Sequence, residues 1–145
     1  MSCYYFAYGS NLNKERLLSR IGSWVESRRA VLTGYKLTFD SRGYADIIED
    51  MQSNAYGAVY LITLEQLDKL DVYEGVRLGV YVRKKVSVTS NSEKFNAITY
   101  IRKEKTKFKE PEDWYLQLII NGLKEHGYDE GAISYARRCA KQISE

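Results

Sequence analysis

The sequence predicts an α+β fold. Three observations carry this. Five or six strand-like segments are joined by helices that fall in separate places, rather than in the regular alternation of a repeating βαβ chain. One helix between strands has a clear start signal. The only proline, Pro111, divides a strand-rich part from a helical C-terminus.

The elements follow in order. Tyr4 to Tyr8 reads as a short buried strand. Ser10 or Asn11 can cap a helix from Lys14 to Ile21, which Gly22 ends. Arg29 to Phe39 is rich in Val, Leu, Thr and Tyr and reads as a strand broken near Gly34. Ala45 to Glu49 is another short strand. Ala55 to Ile62 is a nearly continuous apolar run, expected of a central strand covered on both faces. Thr63, with Gln66 three residues on, forms a capping box for a helix to Tyr73. Leu64, Leu67 and Leu70 give that helix its apolar stripe. Val80 to Val88 alternates, with Val80, Val82, Val86 and Val88 on one face and Tyr81, Arg83, Lys85 and Ser87 on the other; Lys84 interrupts the apolar side. The basic run Arg83-Lys84-Lys85 reads as a solvated edge. Ser90-Asn91-Ser92 turns into a last strand, Phe95 to Ile101. A helix from Pro111 to Glu125 is closed by Gly127. A final helix starts at Asp129 and buries Ile133, Ala136, Ala140 and Ile143.

Composition narrows the function. The 145 residues fit one domain, 1–145, with 44% hydrophobic and 28% charged residues. No stretch approaches the roughly 20 apolar residues of a membrane helix, and the N-terminus lacks the basic start of a signal peptide. Those readings place the protein in the cytoplasm, away from membranes. Two cysteines, Cys3 and Cys139, are then expected as free thiols. With one histidine they cannot supply a four-ligand zinc site. His126 reads as a plain helix-end residue, so serine–histidine and cysteine–histidine catalysis lack a motif. A net charge of +3 is too small to announce nucleic acid. Thirteen tyrosines leave room for a polar, aromatic-lined pocket.

Two segments carry chemistry. Tyr5-Phe6-Ala7-Tyr8-Gly9-Ser10-Asn11 is a strand that stops at Gly-Ser-Asn and enters a helix. Such a turn leaves backbone N–H groups unpaired and favours negative charge, although it also fits an ordinary strand-to-helix loop. Glu74 lies seven residues beyond Leu67 and four beyond Leu70. If the helix keeps its phase, its carboxyl faces the core at a helix C-terminus, and both effects raise its pKa. If the helix ends at Tyr73, Glu74 turns into water instead. An N–H cradle and one such carboxylate suffice for proton transfer at an acyl group.

At these residues the chain resembles the γ-glutamylcyclotransferase family, with its AIG2-like fold. Tyr5 to Leu12 looks like the family's N-terminal substrate loop. Leu70-Asp71-Val72-Tyr73-Glu74-Gly75-Val76, followed by Gly79-Val80-Tyr81-Val82, is similar to its second motif. Pro111, Trp114-Tyr115 and Asn121-Gly122-Leu123-Lys124-Glu125 resemble its third region. Three motifs in the same order are more specific than any one. The resemblance implies a compact, barrel-like mixed sheet of about five to six strands with flanking helices. It implies Glu74 as catalytic acid/base, and a loop of Tyr5, Phe6, Ala7, Tyr8, Gly9 and Ser10, with Asn11 and Leu12 just after it, holding the γ-glutamyl group. Tyr115 matches a tyrosine close to the substrate, and Tyr81 and Tyr100 fall where the family also places tyrosine. The reaction implied is a transferase- or lyase-type cyclisation to 5-oxoproline with release of an amine, on a small-molecule substrate and without metal or cofactor. The leaving amine, and a homodimer, stay open. A γ-glutamylamine cyclotransferase and a non-catalytic small-molecule binding module of the same fold are the alternatives.

Overall fold

The computed structural model describes residues 1–143. Five strands, β1 (Ser2–Ala7), β2 (Glu26–Phe39), β3 (Ala45–Thr63), β4 (Tyr81–Ser90) and β5 (Glu93–Arg102), form a closed barrel in the order β1-β3-β2-β4-β5. β1 closes it by pairing antiparallel with β3 and parallel with β5, where Tyr5 meets Ile98. The α+β class and the barrel-like sheet are both as expected, with five strands. Two further bonds pin the β1–β5 seam. Thr99 Oγ1 donates to Phe6 O at 2.8 Å, and Tyr8 Oη donates to Tyr100 O at 2.6 Å.

The segments expected as two strands, Ala45 to Glu49 and Ala55 to Ile62, are one 19-residue strand. The pattern is interrupted at its middle, where Glu49, Met51 and Gln52 are exposed and Asp50 is half-buried. β2 likewise runs unbroken from Glu26. Its register slips between Thr33 and Tyr35, where Gly34 has φ +87, so the glycine makes a bulge rather than a break. The β4–β5 turn uses Asn91 (φ 50) and Ser92 (φ 70), and positive φ at both central residues matches the right-handed twist of a hairpin. In β4 the expected faces are reversed at the start: Tyr81 is buried, whereas Val82 and Val86 are only half-buried and Val80 precedes the strand. The cause is the site described below, which draws Tyr81 inward.

Four helices flank the barrel: α1 (Lys14–Ile21), α2 (Leu64–Tyr73), α3 (Asp113–Glu125) and α4 (Glu130–Ala140). The cap of α1 is Asn13, whose side chain accepts from Arg16 N, because Ser10–Leu12 forms its own 3₁₀ turn. The Thr63–Gln66 capping box is present in full. Leu67 and Leu70 are buried, but Leu64, the first residue of α2, is exposed. α3 begins two residues after Pro111, with Glu112 at the N-cap position but making no side-chain cap bond. α4 buries Ile133, Ala136 and Ala140 as expected. Ile143 is exposed, because the helix has ended at Ala140 and the chain has turned away. No helix among the described residues is long and apolar enough to cross a membrane. Cys3 and Cys139 are both free thiols.

Candidate functional site

At one end of the barrel a cavity of about 410 Å³ opens between the Gly9–Asn11 turn, the end of α2 and the loop from β2 to β3. Its polar lining begins with tyrosines. β1 delivers Tyr5, whose hydroxyl accepts from Asn11 Nδ2 at 3.0 Å. β4 delivers Tyr81, and α3 delivers Tyr115. These two hydroxyls grip one residue from both sides: Tyr81 Oη donates to Ala45 O at 2.7 Å, and Tyr115 Oη accepts from Ala45 N at 3.0 Å. Tyr100 Oη donates to Asp71 Oδ1 at 2.5 Å. Burial pushes all four phenols above their ordinary range, so they stay protonated.

The turn from Gly9 to Leu12 is set by packing. A Cβ on Gly9 would come within 2.9 Å of Ala45 Cβ, so only glycine lets the turn lie against β3. Ser10 and Asn11 open the 3₁₀ turn, and their N–H groups reach no carbonyl among the described residues. Behind the turn, Gly122 of α3 gives Leu12 room.

Glu74 stands at the C-cap of α2 with helical φ and ψ, its N–H bonded to Leu70 O at 2.9 Å. The helix therefore holds its phase, and the carboxyl lines the cavity rather than turning into bulk water. It makes no hydrogen bond or ion pair among the described residues. Burial raises its pKa to about 7, against the pull of Arg20, Arg42 and Arg16. The geometry thus offers one carboxyl poised to hold or release a proton near neutrality, beside unpaired N–H groups and phenol donors.

Of the expected site residues, Tyr5, Tyr8, Gly9, Ser10, Asn11, Glu74, Tyr81, Tyr100 and Tyr115 meet at this cavity. Phe6, Ala7 and Leu12 do not line it. All three are fully buried; alternation along β1 accounts for Phe6 alone, which points to the opposite side from Tyr5. Sequence reasoning missed three arginines that do line it: Arg16 and Arg20 on α1, and Arg42 in the β2–β3 loop. A four-residue spacing on a helix that follows the turn was the available signal for the first two. Arg42 is held by the buried Asp40 at 2.8 Å, which also takes Arg102 at 3.0 Å. The basic run on β4 is more than a solvated edge, since Arg83 forks onto Asp71 at 2.8 and 2.7 Å. His126, at the C-cap of α3, lies against Tyr60 Oη at 2.6 Å, away from the cavity. The described residues hold no His/Cys/Asp/Glu cluster suited to a metal ion.

Comparison with known proteins identifies the fold and its family. The model of the γ-glutamyl cyclotransferase, AIG2-like family matches residues 5–116. The γ-glutamylcyclotransferase of Bos taurus is 33% identical over 138 residues, covering 87% of this chain and 72% of that protein. The Homo sapiens γ-glutamylcyclotransferase is 32% identical over 139 residues, covering 87% of this chain and 72% of that one. A solved γ-glutamyl cyclotransferase structure superposes with a TM-score of 0.87 at 28% identity, covering 99% of this chain and 89% of the other. The class is therefore an enzyme built on the γ-glutamylcyclotransferase barrel. The chain belongs to the γ-glutamyl cyclotransferase, AIG2-like family.

Proposed function

We propose that this protein cyclises a small γ-glutamyl compound to 5-oxoproline and releases an amine, with Glu74 as general acid/base. The observation that carries the reading is a carboxyl inside the tyrosine-lined cavity that has no hydrogen bond among the described residues and whose pKa burial raises to about 7. The family supports the reaction class.

A γ-glutamyl group contains its own nucleophile, so the protein's task is to fold it into the cyclising shape. Ionised Glu74 takes a proton from the α-ammonium. The freed amine attacks the γ-carbonyl, and the new C–N bond closes a five-membered ring. Collapse of the tetrahedral intermediate breaks the original C–N bond as Glu74 delivers its proton to the leaving nitrogen; Glu74 then takes the second proton from the ring nitrogen, leaving the neutral lactam, and passes it to the released amine, which departs as an ammonium. The carboxylate ends as it began. The N–H groups of Ser10 and Asn11 are suited to the α-carboxylate or the developing oxyanion. The hydroxyls of Tyr5, Tyr81 and Tyr115, kept protonated by burial, orient the rest of the head.

The test is release of 5-oxoproline from a panel of γ-glutamyl amino acids, γ-glutamyl amines and glutathione, with Glu74→Gln run beside the parent. Loss of turnover by about 10²- to 10⁴-fold in a folded variant is expected. Parent-like rates in Glu74→Gln would remove Glu74 from the mechanism. Absence of product from every member would favour a binding module.

A further inference from the structure

The phenols at the cavity differ in what their protons do. Tyr8, Tyr81 and Tyr100 donate to the protein, at Tyr100 O, Ala45 O and Asp71 Oδ1. Tyr5 does not. Its hydroxyl makes one hydrogen bond among the described residues, and there it accepts, from Asn11 Nδ2 at 3.0 Å. The side chain is 4% exposed, and its proton has no acceptor among the described residues. A buried donor in that state is costly until something arrives to accept from it. Tyr115 also accepts, but from Ala45 N, a backbone group that cannot be turned over. Tyr5 accepts from a side-chain amide, which can.

An amide has an accepting end and a donating end of nearly the same shape. Turned over, Asn11 would offer its oxygen to Tyr5, and the Tyr5 proton would go to the protein. Arg20 blocks that orientation. A guanidinium only donates, and Arg20 Nη1 donates to Asn11 Oδ1 at 3.2 Å. A reversed amide would set donor against donor. Arg20 is held in turn by the ring of Tyr73, whose centre lies 4.7 Å from its guanidinium carbon. The buried Asn11 thus has each end of its amide committed to a different partner. We propose that Arg20 is a positioning residue: it fixes the Asn11 amide and thereby aims the Tyr5 O–H into the cavity, to donate to an oxygen of the γ-glutamyl head. The inference rests on the cyclisation reading and deepens it. Arg20 also acts through space. Burial raises the Glu74 pKa, and Arg20 is the strongest of the charges that oppose the rise. Its removal has two separable effects. Without its charge, the midpoint of the kcat/KM pH profile moves up. Well above that midpoint Glu74 is ionised with or without Arg20, and there a loss reports on Tyr5.

The experiment measures kcat/KM for 5-oxoproline release on the high-pH plateau, in the parent, Arg20→Met, Tyr5→Phe and the double variant, with the best substrate of the γ-glutamyl panel. Arg20→Met keeps an unbranched stem without donors or charge, and is expected to lose about tenfold, the effect of one well-directed hydrogen bond. Tyr5→Phe is expected to lose at least as much. The double variant is expected to match Tyr5→Phe alone, because phenylalanine has no proton to aim. Arg20→Lys still only donates, and is expected to recover part of the loss with Tyr5 in place and none in the Tyr5→Phe background. Asn11→Asp keeps Arg20 but gives Tyr5 an acceptor, and is expected to fall as far as Arg20→Met. A double variant whose losses multiply, a plateau in Arg20→Met equal to the parent's, or parent-like rates in Asn11→Asp overturns the positioning role while leaving cyclisation standing. No 5-oxoproline from the parent with any member of the panel overturns the cyclisation reading and the positioning role together.

Discussion

Glu74 sets a conflict between stability and chemistry within one side chain. Its folded pKa is raised, so folding favours the protonated form. The stabilising contribution is full below the ordinary carboxyl pKa of about 4.5 and is lost as pH rises through about 7. The loss amounts to about 3 kcal/mol at most. The proposed base is active only when ionised, so kcat/KM should rise with pH and level off above about 7, in the range where the fold is weakest at this position. Glu74→Gln should therefore melt at higher temperature than the parent at pH 8, and with a smaller difference at pH 5. Thermal unfolding at the two pH values checks this; a variant less stable at pH 8 would contradict it. A neighbouring residue gives a second prediction. Gly9→Val should abolish substrate binding, because its side chain must displace Ala45 from between Tyr81 and Tyr115. Calorimetric titration of 5-oxoproline or a γ-glutamyl ligand into the folded variant is the measurement.

The elements that build the site depend on one another at close range. α3 passes so near the Ser10–Leu12 turn that a Cβ on Gly122 would lie 2.5 Å from Leu12. Gly122→Ala should cost about 1–3 kcal/mol by overpacking and lower kcat/KM by shifting the turn, read by melting temperature and assay together. At the far side, Arg83 of β4 and Tyr100 of β5 converge on Asp71, one turn before Glu74. Asp71→Asn should weaken that anchor by about 1 kcal/mol, since the pair is partly solvated, and should lower kcat by loosening the last turn of α2. Much of this was legible in the sequence. The Thr63–Gln66 box fixed the start of α2, and four residues of helical spacing from Leu70 carried Glu74 inward. The bounds of α1 were readable to the residue. What was hidden depends on neighbours distant in sequence. The polar middle of β3 looks like a loop until β2 is known to pair along it. Arg16 and Arg20 look like a solvated helix face until the Gly9 turn folds over beside them. His126 had no local signal for its bond to Tyr60, 66 residues away.

The barrel has two thin seams, β2 to β4 through Val31 and Thr89, and β1 to β5, the one its side chains pin most clearly. β1 and β5 share a single ladder position, Tyr5 with Ile98, so side chains must complete the closure. Thr99 is fully buried, and its hydroxyl satisfies Phe6 O across a separation of 93 residues. Thr99→Val should strand that carbonyl and lower stability by about 1–3 kcal/mol, measured as a lower urea midpoint with an unchanged m-value. The same seam governs when the enzyme can first work. β1 is synthesised before β5, so one of its edges has no partner until β5 is made, and closing so long a loop is slow. A nascent chain that stops before Tyr100 already carries the Gly9–Asn11 turn, the arginines and Glu74, yet it has no pocket to put them in. The site therefore cannot ripen piece by piece during translation; it arrives in one late step, and β1 must be kept from pairing elsewhere until then.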